Sequence, residues 1–88
     1  MTINIKDLKN KIIYRANYRG TKEMDKLLGS FTKKYIDQFN EQELTLLCDL
    51  LDLDDENLYK FNQGQNPTIQ IELNKVTEMF KNYNYARE

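Results

Sequence analysis

Apolar residues recur at intervals of three and four along nearly the whole 88-residue chain, and that spacing restricts it to packed helices. Ile5, Leu8 and Ile12 form a first stripe, with Asn4 placed to cap it. Gly20 supplies the left-handed stop that glycine adopts without steric cost. Met24, Leu27, Leu28, Phe31, Tyr35 and Phe39 make a second stripe about four turns long, in which Gly29 marks a close helix crossing. Asn40, with Glu43 three residues on, has the pattern of a capping box before the stripe Leu44, Leu47, Leu50 and Leu51. Asp54 or Asp55 caps a short helix carrying Leu58, Tyr59 and Phe61, which Gly64 ends. Pro67 stands where the first turn of a fifth helix should begin, with Ile69, Leu73, Val76, Phe80 and Tyr83 on its buried face. No strand-like alternation runs beyond four residues, and no repeat or linker interrupts the chain. The expectation is all-α: a compact five-helix bundle forming a single domain over 1–88, with its core over about 5–83.

What is missing narrows the chemistry. There is no histidine, the usual general base near neutral pH and the commonest metal ligand. The single cysteine, Cys48, rules out an internal disulfide and fits a reducing, cytoplasmic setting. Cys48 follows Leu46 and Leu47 and reads as a small core side chain, because a reactive thiolate wants basic neighbours and these are acidic. No apolar run exceeds three residues, against the roughly 20 that a membrane span needs. Ile3 and Ile5 alternate with polar residues and lack the apolar stretch of a signal peptide. The acidic run from Asp52 fails as a calcium loop. Its sixth and twelfth positions are Asn57 and Gln63, where an EF-hand needs glycine and a bidentate glutamate. Three isolated glycines make neither a dinucleotide fingerprint nor a P-loop. A small bundle also leaves little room for a deep catalytic pocket, so no catalytic residue, resident cofactor or metal is expected.

The net charge of −1 conceals two opposed halves. Residues 1–36 carry nine Lys/Arg against three acids, a net of +6, and residues 37–88 carry four against eleven, a net of −7. Between Asp37 and Glu56 there are eight acids and no base. Two readings fit: solvated faces attracting one another within one domain, or a basic surface offered to an acidic partner. Nucleic acid suits this balance poorly, since no basic motif interleaved with aromatics appears.

The segment from Tyr18 to Asp25 places a guanidinium, a glycine turn and two carboxylates between two helices. Local structure alone accounts for it: Glu23 and Asp25 complement the positive end of the second helix, and Arg19 the negative end of the first. The same residues also resemble a known signature. Arg19-Gly20-x-x-Glu23-x-Asp25, followed by Leu28 and Phe31, is similar to the RGxxE motif of the SdhE-type succinate dehydrogenase assembly factors. A second block, from Leu50-Leu51-Asp52-Leu53-Asp54-Asp55 through Leu58-Tyr59-Lys60-Phe61, resembles that family's other conserved stretch. The resemblance as a whole spans roughly residues 8–80. The chain departs from the family pattern at Phe61, where tryptophan is common, and at Glu56-Asn57, where proline-aspartate is frequent.

The resemblance implies a helical assembly chaperone that binds the flavoprotein subunit of succinate dehydrogenase, or of fumarate reductase. It would promote covalent attachment of FAD to that client while holding no FAD stably itself. The bond in such clients is made to a histidine, which this chain lacks, so the acceptor belongs to the client. On this reading Gly20 admits the client backbone, and Arg19 and Glu23 make charge-assisted hydrogen bonds to it. Asp25 belongs to the same motif, Arg15, Lys22 and Lys26 steer the encounter, and Tyr14 and Tyr18 are aromatic anchors. The protein is expected to act as a monomer, without membrane insertion. The alternative is a small regulatory or interaction module that binds an unrelated acidic partner through its basic half.

Overall fold

The structure is a computed structural model and describes residues 4–84; Ile3 and the outermost parts of the expected domain lie outside the described residues. Five α-helices follow one another: α1 (Ile5–Asn17), α2 (Lys22–Tyr35), α3 (Glu41–Leu51), α4 (Asp55–Asn62) and α5 (Lys75–Lys81). The expected all-α bundle is what the sequence makes.

Most helices begin where a side chain can hold their first free N–H groups. The Asn4 side chain accepts from the Asp7 amide, and Asp54 from that of Asn57. Asn40 and Glu43 form the anticipated capping box, each side chain 2.8 Å from the other's backbone nitrogen. Thr21 caps α2 through the Met24 amide, a cap not anticipated from the sequence. Gly20 and Gly64 follow α1 and α4 with φ of 110° and 75°, a backbone conformation that glycine takes far more readily than other residues.

Ile12, Leu28, Phe31, Leu44, Leu47, Leu58, Val76 and Phe80 are fully buried and bring all five helices into one core. Phe31 is its aromatic centre, with the rings of Tyr35, Phe80 and Tyr83 at 5.2, 5.3 and 5.4 Å. Gly29 marks the crossing of α1 and α2, as its position in the stripe suggests. A Cβ there would come within 2.4 Å of the Asn17 Oδ1 atom.

Two elements differ from the sequence expectation. α2 ends at Tyr35, and a 3₁₀ turn over Ile36–Gln38 leads to Phe39 in extended conformation. Phe39 stays in the core by this turn rather than as part of the helix. The larger correction concerns the fifth helix, which starts at Lys75 and not at Pro67. Pro67 and the β-branched Thr68, Ile69 and Ile71 suit helix poorly, and Asn57 holds this stretch in another course. Its Oδ1 accepts from the Thr68 amide at 2.7 Å and from the Thr68 hydroxyl at 3.0 Å. Asn74 then offers a stronger start, forming a capping box with Thr77 at 2.7 and 2.9 Å. Ile69 and Leu73 are consequently exposed, while Ile71 packs against the core. The far end of α4 performs a similar service: Asn62 is buried and donates to the carbonyls of Phe80 and Tyr83, both at 2.8 Å.

Candidate functional site

The turn between α1 and α2 is built around Arg19. Its backbone amide donates to Asp25 Oδ1 at 2.5 Å, which fixes the turn against the first turn of α2. Its side chain, only 11% exposed, reaches across the molecule. Nε donates to Asp55 Oδ1 at 2.9 Å, and the two terminal nitrogens donate to the Leu51 and Leu53 carbonyls at 2.7 Å each. One guanidinium thus completes the carbonyl end of α3, holds the α3–α4 link and meets an acid at the start of α4. The planar fork suits three acceptors in this arrangement, and a lysine would not. The sequence reading assigned Arg19 to the negative end of α1; it serves that of α3 instead. The two sequence blocks that carried the resemblance are therefore one physical unit, joined by this side chain.

With Arg19 and Asp25 turned toward the protein, the outer surface of the junction belongs to other residues. Glu23 and Lys22 are exposed, and their side chains make no hydrogen bond or ion pair among the described residues. Gly20 is exposed, and a Cβ added to it would meet nothing within 4 Å, although its φ still calls for glycine. Tyr14 on α1 and Tyr18, the residue just after it, are 66% and 69% exposed, with ring centroids 4.6 Å apart. Such exposed aromatic area is a good anchor for a protein partner. Packing within the fold does not explain it.

Ion pairs that join the charge halves include Lys9 with Asp37, Arg15 with Asp52 and Arg19 with Asp55. Attraction within the domain accounts for these three cations, Arg15 among them. Lys6, Lys11, Lys22, Lys26 and Lys33 are exposed and form no ion pair among the described residues.

Titration is perturbed mainly at structural positions. The Lys75 ammonium and the Asn40 amide hold the Glu43 carboxyl below its ordinary range. Hydrogen bonds from the Asn57 side chain and backbone do the same for Asp54. Burial pushes the Cys48 thiol up, against the pull of Arg15, which disfavours the thiolate of this half-buried side chain packed on the core. No cluster of metal-ligating side chains occurs among the described residues, and no helix there is long and apolar enough to cross a membrane. Phe61 is buried and keeps the apolar position that tryptophan often fills, with the Lys81 ammonium 5.9 Å from its ring centre.

Known proteins are similar to this chain over most of its described length. The family described as flavinator of succinate dehydrogenase matches residues 10–84. A protein of Acetobacter pasteurianus named FAD assembly factor SdhE is 33% identical over 64 residues, covering 73% of this chain and 59% of its own length. The mitochondrial succinate dehydrogenase assembly factor 2 of Scheffersomyces stipitis is 43% identical over 49 residues, 56% of this chain and 33% of its own. That of Drosophila grimshawi is 29% identical over 77 residues, 85% of this chain and 52% of its own. The chain thus spans from a third to about three-fifths of the length of these relatives. No solved structure matches it.

Proposed function

The chain belongs to the family of succinate dehydrogenase flavinators, and from that premise we propose that it docks on the flavoprotein subunit of succinate dehydrogenase, or of fumarate reductase, and promotes covalent attachment of FAD there. The observation that carries this reading is the outward face of the junction, where the exposed Tyr14–Tyr18 pair adjoins Gly20 and the unpaired Glu23. Exposed aromatic area offers an anchor to a protein partner, an open glycine backbone admits close approach, and a carboxylate unpaired among the described residues can take a charge-assisted hydrogen bond.

The chain contributes no catalytic group. It has no histidine to accept the flavin, and burial pushes its one thiol up, which disfavours the thiolate. The contribution is positional: docking holds the client's domains where its FAD and its acceptor side chain meet, which removes an entropic barrier without chemistry by the helper. Arg19 acts one step back from the client. It fixes the turn that carries Tyr18, Gly20 and Glu23, and α3 and α4 form the base against which that turn is fixed.

The test is to mix purified apo-flavoprotein with FAD, with and without this chain, and to read flavin fluorescence of the client on a denaturing gel. Faster or more complete covalent labelling with the chain is the expected result. Equal labelling in both arms overturns the proposal.

A further inference from the structure

Along the far side of α1 from Arg15 runs a groove shared with α2, about 560 Å³ in volume. Its apolar wall is Ile5, Ile13 and Ile36, with Ile13 left 40% exposed. Lys6, Lys9 and Lys33 line it as well, and Asp37 is the one acid among its lining residues. Asp37 is tied to Lys9 at 3.1 Å, whereas Lys6 and Lys33 are exposed without an ion pair among the described residues. The groove therefore combines an apolar wall with uncompensated positive charge.

Its shape points to a chain-like occupant. The lining runs from Ile5 to Asn17, which at 1.5 Å per residue is about 18 Å of helix. Asn17, Gly29 and Lys33 also line a second depression, of about 490 Å³, that reaches Lys26 and Asp25. Asp25 is the residue that holds the Arg19 amide, so the groove leads to the junction described above. Ile13 and Asn17 also directly precede Tyr14 and Tyr18 in sequence.

We infer that this groove receives an acidic, amphipathic peptide segment of the flavoprotein client, its carboxylates beside Lys6 and Lys33 and a bulky apolar side chain against Ile13. The inference rests on the proposed function for the identity of the client. It adds a second contact, specified by charge, beside the tyrosine pair.

Two charge reversals on one helix test it. Lys6→Glu falls on the groove; Lys11→Glu changes net charge equally at an exposed position that does not line it. Binding of each folded variant to apo-flavoprotein is measured at about 0.15 M salt, where charges beyond roughly 8 Å are largely screened. Lys6→Glu should weaken binding about three- to tenfold, and Lys11→Glu less than about twofold. Wild-type affinity for Lys6→Glu, or equal losses in both variants, overturns the groove contact and leaves the proposed function standing. A wild-type chain that does not bind apo-flavoprotein overturns both. Two parallel measurements use wild type and Lys6→Glu alone: sedimentation, and binding to phosphatidylserine vesicles. Self-association or vesicle binding lost in Lys6→Glu assigns the groove to a second copy or to lipid and overturns the inference.

Discussion

Arg19 and Asp55 are 36 residues apart in the chain, and their side chains meet at 2.9 Å. The same guanidinium donates to the carbonyls of Leu51 and Leu53, so the helix junction that faces outward is held from the inside by the α3–α4 link. Expected from the sequence to contact a partner, Arg19 is bonded within the fold and supports the turn that carries Tyr18, Gly20 and Glu23.

Arg19→Ala should cost about 2–4 kcal/mol, since it strands a carboxylate and two carbonyls at a site with little solvent. For a chain of this size the melting temperature should fall by more than about 10 °C. Arg19→Lys should recover only part of that loss, and the Arg19/Asp55 double-mutant cycle should show coupling. Thermal denaturation of wild type, Arg19→Lys, Arg19→Ala, Asp55→Ala and the Arg19→Ala/Asp55→Ala double mutant measures both. Binding to the client, expressed per folded molecule, should fall far less than stability does.

Glu23→Ala should behave in the opposite way. As a first-turn carboxylate, Glu23 stabilises α2 by about 0.3–1 kcal/mol. As a charged contact to the client, its loss should cost about 2–5 kcal/mol of binding, a weakening of thirtyfold or more. Titrating apo-flavoprotein with the folded variant, and reading binding and covalent FAD together, separates the two roles. Wild-type curves would return Glu23 to helix stabilisation alone.

Thr32 is 1% exposed, and its Oγ1 has no hydrogen-bond partner among the described residues. An unsatisfied buried hydroxyl is costly, and valine has nearly the same shape. Thr32→Val should therefore stabilise the protein by about 1 kcal/mol in urea denaturation. An equally large loss would mean that the hydroxyl is bonded in solution.

Acid sensitivity should trace in part to Asp54. Hydrogen bonds from Asn57 keep its carboxyl ionised to lower pH in the folded state than in the unfolded chain. On acidification the unfolded chain binds the proton first. Stability from Asp54 is therefore complete above about pH 4–5 and is lost as pH falls below that range. Asp54→Asn keeps an N-cap acceptor but cannot titrate. The slope of stability against pH below about 4 should be shallower in this variant, with little change near neutrality.

Local signals were the legible ones. Asn4, Asn40 with Glu43, and Asp54 announce helix starts through side chains that reach only three residues onward. Gly20 and Gly64 announce stops through backbone freedom. The start of α5 went astray because Pro67 is a permitted first-turn residue and Ile69 and Leu73 continue a helical spacing. The decisive pull comes from Asn57, eleven residues before Thr68. The capping pair Asn74 and Thr77 was present in the sequence as a competing signal. At the candidate site, the residue types were readable but the direction of Arg19 was not. Its acceptors at Leu51, Leu53 and Asp55 are brought near only by the packing of α1 on α3, which no local pattern encodes.

The amides of Asn57 and Asn62 tie the C-terminal part of the chain to α4, one at Thr68 and the other at the carbonyls of Phe80 and Tyr83. Segments joined by bonds of this kind open together rather than fraying one residue at a time. In native-state hydrogen exchange, α5 should share one opening free energy with the connecting stretch before it. Asn62→Ala should lower the protection of α5 and its connection in common, leaving α1 and α2 to exchange through their own, separate openings.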